Sequence, residues 1–187
     1  MANKIAAVAG SPRREGFTWT LFREVLRGAG DGGAEVTVYD LNDPGFRGCQ
    51  GCYYCRTHQE CRLDDILRPF FDSVDEVSGI VFSSPIYFAD ISGQGKKWLD
   101  RMFPMLDVQS FAPRHPGKRV VDIYTQGDGN GERFRPAIGR LHGFLNGFGW
   151  KVEETLICAG TTETGFEIPS DQLNRAYAAG LNLAENA

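Results

Sequence analysis

The chain has no apolar run approaching the ~20 residues that a membrane helix requires, which leaves no candidate spanning segment. It has no basic excess either: 20 Lys and Arg stand against 24 Asp and Glu, for a net charge of −4. Binding nucleic acid needs a basic face to neutralise phosphates, so that partner class is set aside. Only three histidines are present. No Ser/His/Asp set or carboxylate pair falls at a strand end, which leaves hydrolase chemistry without support. Neither the Lys-Ser/Thr ending of an ATP-binding P-loop nor the GxGxxG spacing of a dinucleotide fold occurs. The N-terminus lacks the charged-then-apolar shape and small-residue cleavage site of a signal peptide. A cytoplasmic location, with no membrane and no nucleic-acid partner, is the expectation.

Strand-then-helix alternation is present throughout. At 187 residues the chain is expected to form one domain. Ile5 to Ala9 is a short continuous apolar run ending at Gly10, the pattern of a buried parallel strand. Thr18 is a candidate N-cap for a first helix carrying Phe22, Val25, Leu26 and Ala29, and Gly28 to Gly33 are expected to stop it. Strand two is Glu35 to Leu41, and Ile66 to Val74 marks a second helix with Pro69 near its start. Strand three is Gly79 to Ser84, and Trp98 to Leu106 gives helix three. Strand four is Arg119 to Gln126, helix four carries Ile138, Leu141, Leu145 and Phe148, and strand five is Trp150 to Cys158. Leu173, Tyr177 and Leu181 fit a closing helix. The alternation predicts an α/β fold with a doubly wound five-stranded parallel sheet between two helical layers, strand order 2-1-3-4-5. Its ligand crevice then lies at the carboxyl ends of strands one and three, where the strand order reverses.

Three loops of unusual composition fall at such ends. The first, GSPRREGFT from Gly10 to Thr18, offers hydroxyls, a guanidinium and a helix N-terminus, which together suit a phosphate monoester. Its candidates are Ser11, Arg13, Gly16, Phe17 and Thr18, with backbone N–H groups from Gly16 to Thr18. The second, Ser84-Pro85-Ile86-Tyr87-Phe88, places large apolar residues where polar ones are usual and would suit a flat aromatic ring system. The third, Gln126-Gly127-Asp128 and the glycines after it, lets backbone approach a ligand closely.

Gly10-Ser11-Pro12-Arg13 with Gly16 and Thr18 resembles the phosphate loop of the NAD(P)H-dependent FMN reductase family, within the flavodoxin-like superfamily. Members usually carry Asn before the threonine; Phe17 stands there in this chain, so that side-chain contact is missing. Ser84-Pro85-Ile86-Tyr87 is similar to the family's isoalloxazine loop, and ISGQGKKWLDR (91–101) to its xxxxLKxxxDR helix, with Gly95 in place of Leu. In the family this helix commonly packs in a dimer interface, which assigns Lys96, Asp100 and Arg101 a structural role.

Four of the five cysteines lie between residues 49 and 61, spaced Cys49-x2-Cys52-x2-Cys55-x5-Cys61. In a reducing compartment such spacing reads as metal-binding or redox thiols rather than a disulfide frame. The first three spacings equal those of bacterial ferredoxins, although the fourth cysteine comes later and no proline follows it. A 4Fe-4S cluster, a tetrahedral zinc site and free thiols are the three readings. The motif, with Gly48, Gly51 and Asp64-Asp65, is similar to that of iron–sulfur flavoproteins, which carry a 4Fe-4S cluster beside FMN. Cys158 reads as a small buried hydrophobe, His58 as solvated, and His142 as lying on the polar side of its helix.

The resemblance covers the whole chain and implies one flavodoxin-like FMN-binding domain over residues 1–187, with a cysteine-rich insertion at about 42–62. It implies an oxidoreductase whose flavin carries the chemistry, so that no side chain need be catalytic. NAD(P)H would be the co-substrate and donor, with a quinone or other small molecule as acceptor, or with a cluster taking electrons singly. A homodimer or homotetramer is implied. The alternatives are a flavodoxin-type carrier fed by ferredoxin, and a flavin-free zinc-stabilised binding module.

Overall fold

The computed structural model describes residues 2–185. Five long strands form its sheet: β1 (Lys4–Ala9), β2 (Glu35–Asp40), β3 (Val77–Tyr87), β5 (Arg119–Thr125) and β6 (Lys151–Cys158). They run parallel in the order β2-β1-β3-β5-β6. A two-residue strand, β4 (Asp90–Ile91), pairs antiparallel with the end of β3. With β4 set aside, this is the 2-1-3-4-5 order expected for five strands.

The sequence pattern follows from burial. β1 and β3 are central and covered on both faces, so they are apolar almost throughout. β2 and β6 are edges and much less buried: β2 buries Tyr39 alone, and β6 buries Leu156 and Cys158. One face of the sheet packs on α1 (Phe17–Asp31) and α6 (Ser170–Glu185), through Ile5, Ala7, Phe22, Val25 and Leu183. The other packs on α3 (Arg68–Ser73), α4 (Gly93–Leu99) and α5 (Arg135–Gly147), through Val8, Phe70, Phe82, Trp98 and Leu141. A single-turn helix, α2 (Cys55–His58), belongs to the cysteine segment.

Four details differ from the sequence expectation. Helix α1 passes through Gly28 and Gly30 to Asp31 and is stopped by Gly32 and Gly33, the last part of the expected stretch. A Cβ on Gly28 would lie 2.0 Å from the Tyr177 carbonyl oxygen, and one on Gly180 would lie 1.9 Å from that of Val25. Both glycines therefore serve the crossing of α1 and α6, not helix termination. Thr18 is not the N-cap: Gly16 is, and no side chain caps the helix. Strand β3 continues through Pro85 to Tyr87 instead of ending at Ser84. β1 ends at Ala9 beside Ser83, so one side of β3 is open beyond that point and tolerates a residue with no N–H. Helix α4 stops at Leu99, and a separate 3-10 turn at Phe103–Met105 follows, with Pro104 inside it.

Candidate functional site

Two regions gather the residues that carry chemistry. The first is the carboxyl edge of the sheet. Gly10 closes β1 with its N–H donating to the Ser83 carbonyl at 2.7 Å. A Cβ there would sit 2.6 Å from that same oxygen, so only glycine fits. Ser92 then joins the first two loops: its hydroxyl donates to the Gly10 carbonyl at 2.6 Å, and its N–H donates to the Ser84 hydroxyl at 2.9 Å. Ser92 also caps α4, accepting from the Gly95 N–H. Trp19 pins the phosphate-type loop from below, its indole N–H donating to the Ser11 carbonyl at 3.1 Å.

Within that loop the two arginines differ. Arg14 is paired with Asp40 at 2.5 Å. Among the described residues the exposed Arg13 guanidinium has no partner. Among the described residues the first turn of α1 has no side-chain cap, and it carries no acidic residue, so the helix's own side chains do not offset its positive dipole end. The Gly16 N–H is already engaged by the Arg13 carbonyl, and the Thr18 hydroxyl is buried against that of Thr125 at 2.6 Å. Phe17 packs edge-on against Phe166 at 5.0 Å. Ser11 is buried and accepts from the Arg13 N–H.

In the second loop Ser84 spends its hydroxyl on Ser92 and the Pro85 carbonyl. Ile86 faces the core. Tyr87 is partly exposed, and Phe88 stands wholly in solvent. Phe88 and Ala89 both have positive φ, +47° and +64°, in a two-residue hairpin turn that usually takes Asn-Gly. The strained turn thus presents a bare phenyl ring at the sheet edge.

The third loop is held by a fourth that the sequence reading passed over. Thr161 donates to the Gln126 carbonyl through both N–H and hydroxyl at 3.0 Å. The Thr162 hydroxyl donates to the Gly127 carbonyl, and the Gly160 N–H to that of Asp128. Gly127 is glycine because a Cβ would meet Thr162 at 2.8 Å. Gln126 is buried, its amide nitrogen donating to the Asp128 and Asn130 carbonyls, while its buried Oε1 has no partner among the described residues. An unpaired buried acceptor, an unpaired arginine and an uncapped helix at one edge fit a polar, phosphate-bearing ligand. Below them His142 reaches inward from α5 to bond the buried Asp122, which also accepts from the Tyr124 hydroxyl. His142 is therefore half-buried, not on a purely polar face.

The second region is the cysteine segment. Cys49, Cys52, Cys55 and Cys61 line one largely apolar cavity of about 190 Å³, with Arg56, Arg62, Leu63, Arg101, Phe103 and Pro104. Cys49 and Cys52 are exposed, the other two less so. Burial, and then Cys49, Cys61 and Cys52 nearby, push the Cys55 thiol up. The Gly51 N–H points at the Cys49 sulfur at 3.5 Å. Among the described residues no three His, Cys, Asp or Glu side chains converge as a ready metal site. The donor set still suits an iron–sulfur cluster, since four thiols share one apolar cavity and a backbone N–H already faces sulfur. Arg68 and Arg114 bond the carbonyls of Cys61 and Gln59. Arg101 is wholly buried, paired with Asp65, and also donates to the carbonyls of Arg47 and Leu63. Cys158, by contrast, is buried in the core, and burial pushes its thiol up to about 11. His58 is exposed and stacks on Tyr54 at 3.9 Å.

Missed in the sequence were Ser92, Trp19 and Thr161. Ser92 followed by Gly-Gln-Gly carries a legible N-cap signal. The other two carry none.

Known proteins resemble this chain in sequence and in fold. Along 102 residues, 54% of this chain, it is 34% identical to an iron–sulfur flavoprotein of Methanocaldococcus jannaschii, of which 53% is covered. Along 97% of its length it is 24% identical to an iron–sulfur flavoprotein of Archaeoglobus fulgidus, covering 79% of that protein. The chain thus spans about half the length of the first relative. Among solved structures, an NAD(P)H:quinone oxidoreductase from Methanothermobacter marburgensis superimposes with a TM-score of 0.78 at 19% identity, covering 100% of this chain and 98% of that one. A flavodoxin from the domain Archaea superimposes at 0.60 with 15% identity, covering 97% and 96%. These likenesses show a flavodoxin-like fold. No helix of the described residues is long and apolar enough to cross a membrane. Residues 3–133 match the family model for NADPH-dependent FMN reductase. The chain belongs to that family of oxidoreductases.

Proposed function

We propose that this chain is an FMN-dependent oxidoreductase that draws electrons from NAD(P)H and delivers them to a quinone or other small acceptor, as a single FMN-binding domain. The observation that carries the reading is that the loops at the carboxyl edge of the sheet hold, among the described residues, an unpaired Arg13, the uncapped start of α1 and an unpartnered Gln126 Oε1. FMN, when bound, accepts a hydride and gives up electrons singly or in pairs.

The chain's own residues would divide the binding between them. Arg13 and the N–H groups of Phe17 and Thr18 hold the phosphate; Ser11, Gly16 and the Thr18 side chain shape the loop around it. Pro85, Tyr87 and Phe88 form the platform for the ring, with Ser84 and Ile86 fixing it from below. Gln126 orients the ring's polar edge, with Gly127 and Asp128 beside it. The cysteine cavity extends this reading: Cys49, Cys52, Cys55 and Cys61 would hold a 4Fe-4S cluster, which supplies single-electron transfer. Assembly as a homodimer or homotetramer, with the bare Phe88 covered, belongs to the same proposal.

The test is anaerobic purification with flavin and iron counted, followed by NAD(P)H oxidation with a quinone present. One FMN and about four iron per chain, with steady turnover, is the expected result. FMN without NAD(P)H turnover would favour an electron carrier fed by a reduced iron–sulfur protein. Colourless protein with stoichiometric zinc would overturn the reading.

A further inference from the structure

Residues 160–166, the fourth loop, reach both ends of the site at the carboxyl edge of the sheet. At one end they grip the third loop by its carbonyls: Thr161 donates to that of Gln126, Thr162 to that of Gly127 and Gly160 to that of Asp128. At the other end Phe166 packs edge-on against Phe17, the first residue of α1, with ring centroids 5.0 Å apart. Between the two the loop is folded on itself, the Glu163 N–H donating to the Gly160 carbonyl and the Phe166 N–H to that of Glu163. The phosphate-type loop has anchors of its own, since Trp19 bonds the Ser11 carbonyl and Thr18 the Thr125 hydroxyl. The third loop is less well provided. Past the Gln126 N–H, which bonds the Cys158 carbonyl, the hydrogen bonds of residues 126–130 stay within residues 126–133 or go to the fourth loop, among the described residues.

We propose that Phe166 is a positioning residue for the ring end of the site: seated on Phe17, it holds the fourth loop as a strap that fixes Gln126 and Gly127 before a flavin arrives. This rests on the FMN reading given above. Each strap bond is accepted by a carbonyl, so the N–H groups of Gly127 and Asp128 are not spent on it. Phe17 gains a use that an Asn in its place would lack, as the seat for Phe166. Loss of the Phe166 ring frees one end of the strap, while Trp19 and Thr18 still hold the phosphate-type loop. The third loop must then be ordered at the moment of binding, and that ordering costs affinity. A contact made at the phosphate end is therefore felt at the ring end.

The full chain, stripped of flavin and titrated with FMN, then with inorganic phosphate as a competitor of FMN, reads the two ends separately. Phe166→Ala should weaken FMN about tenfold, the scale of ordering costs at a binding site. Its phosphate competition constant should stay within about twofold of the unmutated value. Phe166→Tyr keeps the ring and should restore FMN affinity. Thr161→Val removes a strap bond at the other end. Added to Phe166→Ala it should cost little more, because groups that act through one another are not additive. Unchanged FMN affinity in Phe166→Ala, an equal loss for both ligands, or losses at Phe166 and Thr161 that simply add overturn the proposal while leaving the FMN reading intact. FMN that phosphate cannot displace does the same. An unmutated protein that takes up no FMN overturns both. Should Phe166→Ala fail to fold, Thr161→Val decides alone: weaker FMN with unchanged phosphate supports the strap, and no loss or an equal loss overturns it.

Discussion

At the carboxyl edge of the sheet, backbone groups and short hydroxyls fix the loops; along the cysteine segment, arginine side chains do. Gly10, Ser92, Thr18, Thr125 and Thr161 bond one another or main-chain atoms across strands that the core already holds. Little side-chain entropy is lost in ordering such short groups. The cysteine segment has no ladder to lean on. Its backbone visits the left-handed region at Gly51, Tyr53 and Gln59, and its outer anchors are Arg68, Arg101 and Arg114 reaching to carbonyls. A site built on the first plan is rigid before any ligand arrives. A site built on the second can be loosened by one side chain.

Asp65→Ala breaks that contrast most sharply. It leaves the wholly buried Arg101 guanidinium without its carboxylate. Removing one partner of a buried ion pair costs ~3–5 kcal/mol, because the remaining charge stays in a low-dielectric surrounding. Urea unfolding of the apoprotein should report that loss, and a thiol reagent should reach Cys55 faster. A loss below ~1 kcal/mol would mean that the segment does not depend on this tether.

Arg13→Ala acts at the other region and should leave stability unchanged, since its side chain has no partner among the described residues. FMN affinity should fall instead, by ~1.5–3 kcal/mol, the range for a hydrogen bond to a charged group. Arg14→Ala is the control: Arg14 is occupied by Asp40, and its loss should cost much less affinity. A flavin titration in which the two variants behave alike would remove the distinction between them.

These two regions were also unequally legible in the sequence. Apolar runs ending in Gly10 and Ser84 marked central strands, and strand count with alternation fixed their order, because burial on both faces leaves few other patterns. The Cys-x2-Cys-x2-Cys spacing marked the segment but not its shape. What escaped were contacts between distant residues. Gly28 reads as a stop until Gly180 lies against the same helix crossing. Thr18 reads as a cap until Thr125, in another strand, takes its hydroxyl. Pro85 reads as a strand end until β1 is seen to stop beside Ser83. A structural role for Arg101 was implied by the family resemblance of its helix, yet its pairing with Asp65 needed the fold.

The smallest effect separates burial from ion pairing as the cause of stability on the cysteine side. Next to that segment, His115 pairs with Asp75, whose carboxylate is four-fifths exposed. The hydrogen bond from His115 holds the Asp75 carboxyl below its ordinary range. A carboxyl depressed in the folded state adds stability above its unfolded value of ~3.9. That stability is lost as pH falls through the folded value, since the unfolded chain then binds the proton more readily. Wild type and Asp75→Asn should therefore differ just above about pH 4 and converge in more acidic solution. Solvent screening limits the difference to ~1 kcal/mol or less, well under that of Asp65→Ala. Equal losses from the two aspartates would show that charge pairing, rather than the buried setting of Arg101, holds this side of the molecule together.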